Sequence, residues 1–137
     1  MLYEIDATAP ANTAATAPVE VAARLNKGVV TQVGVQIPQG CMGLARAQVW
    51  RGGHQLWPTT PGAYFKGDGA VIEWPEDYEL TDEPLSLTLR VWNIDDTYAH
   101  TLTFRFATIT LQAAEESRGV PTILKRLAGF LLGRSTP

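Results

Sequence analysis

Residues 85–106 read LSLTLRVWNIDDTYAHTLTFRF. In the first half Leu85, Leu87, Leu89 and Val91 alternate with Ser86, Thr88, Arg90 and Trp92. In the second half Leu102, Phe104 and Phe106 alternate with Thr101, Thr103 and Arg105. A period of two sends every other side chain to one face, the signature of a half-buried strand. The intervening NIDDTY (93–98) is made of turn residues, so the stretch predicts two strands, the second running on to Leu111, joined as an antiparallel hairpin.

The same period recurs upstream. Val29, Thr31, Val33, Val35 and Ile37 share one face of a predicted strand whose other face carries Gln32, Gly34 and Gln36. Ala45, Ala47 and Val49 alternate with Arg46 and Gln48 in the next. Residues 2–7 and 19–25 read as earlier strands, the second turning at Asn26-Lys27-Gly28 into a predicted hairpin. The Ala/Thr/Pro-rich stretch 8–18 reads as an extended connection or arm, because Pro10 and Pro18 interrupt it. From His54 to Gly69, Pro and Gly predict a long loop around the brief apolar piece Gln55-Leu56-Trp57. Val71–Trp74 reads as a short strand closed by Pro75, and PEDYELTDEP (75–84) as an acidic connection. Seven or eight short strands with frequent turn signals predict an all-β, antiparallel, jelly-roll-like sandwich over residues 1–112.

The tail differs in kind. Val120, Ile123, Leu124, Leu127, Phe130 and Leu131 recur at helical spacing, with Pro121 suited to a first turn and Gly133 to a stop. The reading is a linker at 113–119 and an amphipathic helix at 120–133. A helix of roughly a dozen residues is unstable alone in water, so its apolar face is expected to dock either on its own sandwich or on a neighbouring copy, with a slight preference for the neighbour.

Composition narrows the function. A chain of 137 residues with 45% hydrophobic and 18% charged side chains can bury a core and is no disordered polymer. A net charge of −3 gives no basic footprint for nucleic acid. Residues 115–137 hold Arg118, Lys125, Arg126 and Arg134 against Glu115 and Glu116, a basic tail on an acidic body. The lone Cys41 cannot form an internal disulfide or a paired-cysteine metal site. No apolar stretch reaches the roughly 18 residues that a membrane span needs. The N-terminal MLYEIDATAP shows no signal-peptide pattern, so synthesis in a cytoplasm is expected.

No catalytic residue, metal ligand or cofactor is assigned. Of the two histidines, His54 follows two glycines and His100 opens a strand, and structural roles are expected of both. Glu73, Glu76, Asp77, Glu79, Asp82 and Glu83 would serve a glycosidase only as a pair converging on a sugar cleft. Asn93-Ile94-Asp95-Asp96 lacks the glycine and distal Glu of a calcium loop. His54, Trp57, Tyr64 and Phe65 are candidate surface contacts, and glycan binding through the aromatic loop would require Trp57, Tyr64 and Phe65 to form an exposed platform.

The stretches YEIDATAPANT (3–13), 28–80 with its distinctive GGHQLWPTTPGAYFKGDG, and VWNIDDTYAHTLTFRF (91–106) resemble small β-sandwich virion proteins of tailed bacteriophages. After Trp-Pro the pattern of that group runs Asn-Pro, where this chain has Thr60-Pro61. The resemblance omits the tail beyond about residue 113 and implies no catalytic residue. It implies a structural component of a phage virion. The expected role is a capsid decoration or cement protein that self-associates and touches other virion subunits through residues 8–18 and the tail helix. The alternative is a carbohydrate-binding or host-adhesion module of a tail or fibre.

Overall fold

A computed structural model gives the fold and describes residues 1–118. Eight strands precede one short helix: β1 (Leu2–Ala9), β2 (Val19–Arg24), β3 (Gly28–Ile37), β4 (Ala45–Arg51), β5 (His54–Trp57), β6 (Ala70–Leu80), β7 (Ser86–Asn93), β8 (His100–Ile109) and α1 (Leu111–Ser117). They form two antiparallel four-stranded sheets, ordered β1-β8-β3-β6 and β2-β7-β4-β5. The fold is an all-β sandwich with the jelly-roll strand order.

This order corrects both predicted hairpins that cross the sheets. β7 pairs with β2 and β4, and β8 with β1 and β3, so NIDDTY carries the chain from one sheet to the other. β2 and β3 likewise lie in different sheets. The reason is burial: each sheet has one apolar face, and stacking the two covers both at once. Among the described strands, β4 and β5 alone are sequence neighbours that pair.

Phe104 and Phe106 of β8, Val33, Val35 and Ile37 of β3, and Leu87, Leu89 and Val91 of β7 fill the interior. Burying each such side chain is worth roughly 1.5–3 kcal/mol. In β3 the alternation breaks at a bulge between Val30 and Gln32, so Val30, rather than Val29, joins the inter-sheet core. Val29 is buried outside that cluster, and α1 packs on β3.

Three segments depart from the sequence reading. His54–Trp57 is a strand, not part of a loop. β6 runs through Pro75 to Leu80, taking in half of the predicted acidic connection, as an edge strand can tolerate a missing N–H donor. The predicted linker 113–119 begins as helix, because Thr110 caps it: the hydroxyl accepts from Ala113 N at 3.1 Å. The predicted helix at 120–133 lies outside the described residues.

Candidate functional site

The 8–18 stretch is folded onto its own sandwich. Thr13 and Asn93 exchange backbone hydrogen bonds at 2.8 and 3.0 Å, and Asn12 N donates to Asp95 O at 2.8 Å. Its Ala14–Ala17 crest is exposed.

The predicted ring platform is not there. Trp57 is 4% exposed and Phe65 8%. Trp57 packs edge-on against Trp74 and Tyr78, with centroids 6.1 and 5.6 Å away, and Phe65 stacks on Trp74 at 5.3 Å. These rings close one end of the core, as large apolar surface does when β6 offers Trp74 and Tyr78 on its inward face. Tyr64 is half-buried, edge-on to Trp92 at 5.5 Å, with the Arg46 guanidinium over its ring. Of the four candidates, His54 alone is exposed.

His54 and Trp57 do meet in one place. A groove of about 670 Å³ opens between the β4–β5 hairpin, the 58–62 loop and β6. Gln48, Trp50, His54, Gln55, Glu76 and Tyr78 line it, with a small exposed part of Trp57. The hairpin and loop are tied by one carboxamide: Gln55 Nε2 donates to Pro58 O at 2.8 Å and Ala63 O at 3.0 Å, and Oε1 accepts from Gly62 N at 3.1 Å. Gln48 Nε2 donates to the same Ala63 carbonyl at 2.9 Å. Opposite, Arg51 donates to the Tyr78 hydroxyl at 3.0 Å and holds the Asp82 and Pro84 carbonyls at 2.6 and 3.0 Å. No spacing in the sequence marks Gln48, Gln55 or Tyr78, because three distant segments bring them together.

The acidic residues divide by the period of β6. Glu73, Asp77 and Glu79 are exposed on the outer face, while Glu76 turns inward to the groove. Asp82 and Glu83 sit in the following turn. Asp77 accepts from Arg118 at 2.5 Å, and Glu79 stands 3.7 Å from the same guanidinium, which raises the Arg118 pKa. Arg118, just past α1, is thereby tied to the outer face of β6.

His100 and Asp95 form a pair, Nε2 to Oδ2, at 2.9 Å. Cys41 is fully buried, and burial together with Asp68 and Asp95 raises its thiol pKa, the reverse of what a nucleophile needs. Among the described residues no group of three or more His, Cys, Asp or Glu is placed to hold a metal ion, and no helix is long and apolar enough to cross a membrane.

No protein-family model matches the chain, and neither does any curated protein. Among solved structures it is similar to hydroxypropylphosphonic acid epoxidase from S. wedmorenis, at 9% identity and TM-score 0.39, over 77% of this chain and 43% of that one. The chain thus spans less than half the length of the epoxidase. It is also similar to PirA, at 18% identity and TM-score 0.35, over 77% of this chain and 94% of that one. A de novo designed double-stranded β-helix aligns at 16% identity and TM-score 0.33, over 80% of this chain and 99% of the design.

Proposed function

We propose that this chain is a structural subunit of a bacteriophage particle, a capsid decoration or cement protein that associates with its neighbours through its tail. The observation that carries the reading is the position of Arg118, the last described residue. Arg118 is bound to Asp77 on an outer sheet face that carries polar pairs beside the exposed apolar side chains of Leu2 and Val71. There Thr8 and Thr101 share a hydrogen bond at 2.8 Å, Thr103 donates to Asp6 at 2.7 Å, and Arg105 stands 3.5 Å from Glu4.

The apolar stripe Val120, Ile123, Leu124, Leu127, Phe130 and Leu131 follows directly in the chain. The core between the sheets is already filled by the strands, and beside Arg118 the outer face of β6 presents Asp77 and Glu79. A second copy supplies an apolar partner, and symmetry repeats the contact in every copy. The 8–18 stretch enters this reading only through its exposed crest, since its base is bonded to its own sandwich.

The test is the solution mass by light scattering of the full chain and of a chain ending at Arg118. An oligomer that falls to monomer on truncation supports the reading, and monomers in both forms overturn it. Mass spectrometry of purified particles of the encoding phage then decides whether the subunit is built into the virion.

A further inference from the structure

The groove beside β5 opens on the inward side of β6, away from the outer face to which Arg118 is bound. Its polar groups are held in place by the protein and keep unused bonding capacity. Glu76 accepts one hydrogen bond on each oxygen, from Trp74 Nε1 at 2.9 Å and Asp77 N at 3.2 Å. A carboxylate has about four acceptor sites, so both oxygens can accept again. The Tyr78 hydroxyl accepts from Arg51 and keeps its own proton to donate. Gln48 Oε1 accepts from Trp50 Nε1 at 2.9 Å and retains a second lone pair. Among these groups stand the rings of Trp50 and Tyr78 and the apolar surfaces of Leu56 and Pro61.

We infer that this groove binds a neutral saccharide. A sugar carries hydroxyls that donate and accept around its rim and C–H surface on its faces. It therefore needs fixed donors and acceptors beside apolar and aromatic surface, and this groove offers both. Side chains already held by intramolecular bonds lose little freedom when the ligand arrives. The volume of about 670 Å³ lies within the usual range of small-ligand sites. An anion would meet the Glu76 carboxylate, and a cation would want further carboxylates, which β6 directs to its other face as Asp77 and Glu79. The site is distinct from a ring platform: Trp57 and Phe65 belong to the core, while half-buried Trp50, with the Arg90 guanidinium over its ring at 4.6 Å, and half-buried Tyr78 line the groove.

The experiment follows the indole N–H signals of Trp50, Trp57, Trp74 and Trp92 in the ¹⁵N-labelled full chain. Maltotriose, lactose and chitotriose are titrated separately, and a polyproline peptide is the control for a groove that takes an extended chain. At least one sugar is expected to move the Trp50 and Trp57 signals saturably, with a dissociation constant of about 1 mM or below, and to leave Trp92 in place. Glu76→Gln, which removes the charge from the acceptor, is expected to weaken binding at least about tenfold. Tyr78→Phe, which removes only the hydroxyl, weakens it too and carries the test if Glu76→Gln does not fold. No saturable shift with any of the three sugars overturns the inference. So does undiminished affinity in the folded variants, or a response to the peptide alone. Binding reads out in monomer and oligomer alike, so its failure is separable from failure of the assembly reading.

Discussion

His100 Nε2 lies 2.9 Å from Asp95 Oδ2, with 9% and 10% of the two side chains left in solvent. The other oxygen, Asp95 Oδ1, accepts from Thr97 N at 2.9 Å and Tyr98 N at 3.2 Å. The carboxylate therefore fastens both limbs of the crossing between β7 and β8. The Thr97 N–H, and after it the His100 side chain, hold the Asp95 pKa below the usual aspartate value.

A folded-state pKa below the unfolded one stabilises the protein above the unfolded value, near about 3.9, and that contribution is lost as pH falls through the folded value. The unfolding midpoint is expected to fall as pH drops below about 4. Asp95→Asn lowers the midpoint at neutral pH and flattens the acid slope. Calorimetry of both proteins across the acid range checks this, and parallel slopes would refute it.

Gly28 opens β3 where β8 ends. A Cβ there would lie 2.3 Å from the Ile109 carbonyl oxygen, a backbone atom with no flexible side chain to yield. Gly28→Ala is expected to cost about 1–3 kcal/mol, the range for forcing extra atoms into packed structure. Gly53→Ala, whose Cβ meets nothing within 4 Å, should stay within about 0.5 kcal/mol of the parent. Urea unfolding of the two variants measures the contrast.

Trp57 and His54 open the other contrast, at the two ends of β5. Trp57 is packed among Trp74, Tyr78 and Phe106, whereas His54 is exposed. Trp57→Ala is expected to cost about 3–5 kcal/mol, as truncating a buried ring does. His54→Ala should change stability by less than about 0.5 kcal/mol. Equal small effects by denaturant unfolding would return Trp57 to the surface.

β8 and β7 up to Val91 are legible because apolar and polar residues alternate through them. β6 was legible only to Trp74. Pro75 reads as a stop, and Glu76, Asp77 and Glu79 read as solvent-facing charge, yet at this sheet edge Trp74, Glu76 and Tyr78 simply continue the inward face. α1 is not legible, because LQAAEES is too short for an amphipathic period and the Thr110 cap is its one local signal. The groove was half legible: His54 and Trp57 lie on one strand, but Gln48, Glu76 and Tyr78 reach it only through pairing across the fold.

Alternation cannot distinguish a hairpin from a crossing between sheets, since both need two apolar-faced strands and a turn. Beside Asp95, the crossing is held by Asn93, fully buried at the end of β7. Its Nδ2 donates to Ala9 O at 3.2 Å and Tyr98 O at 2.8 Å, and its Oδ1 accepts from Asp95 N at 3.0 Å. One side chain thus bonds the end of β1 to the start and finish of the turn. Asn93→Ala leaves those groups without partners in a buried place, at about 1–3 kcal/mol for each group left unsatisfied. The variant is expected to unfold at clearly lower urea than the parent. Amide hydrogen exchange should lose protection first at Asp95, Thr97 and Tyr98, while β3 amides stay slow. Uniform loss of protection would mean that Asn93 supports the whole core and not the crossing.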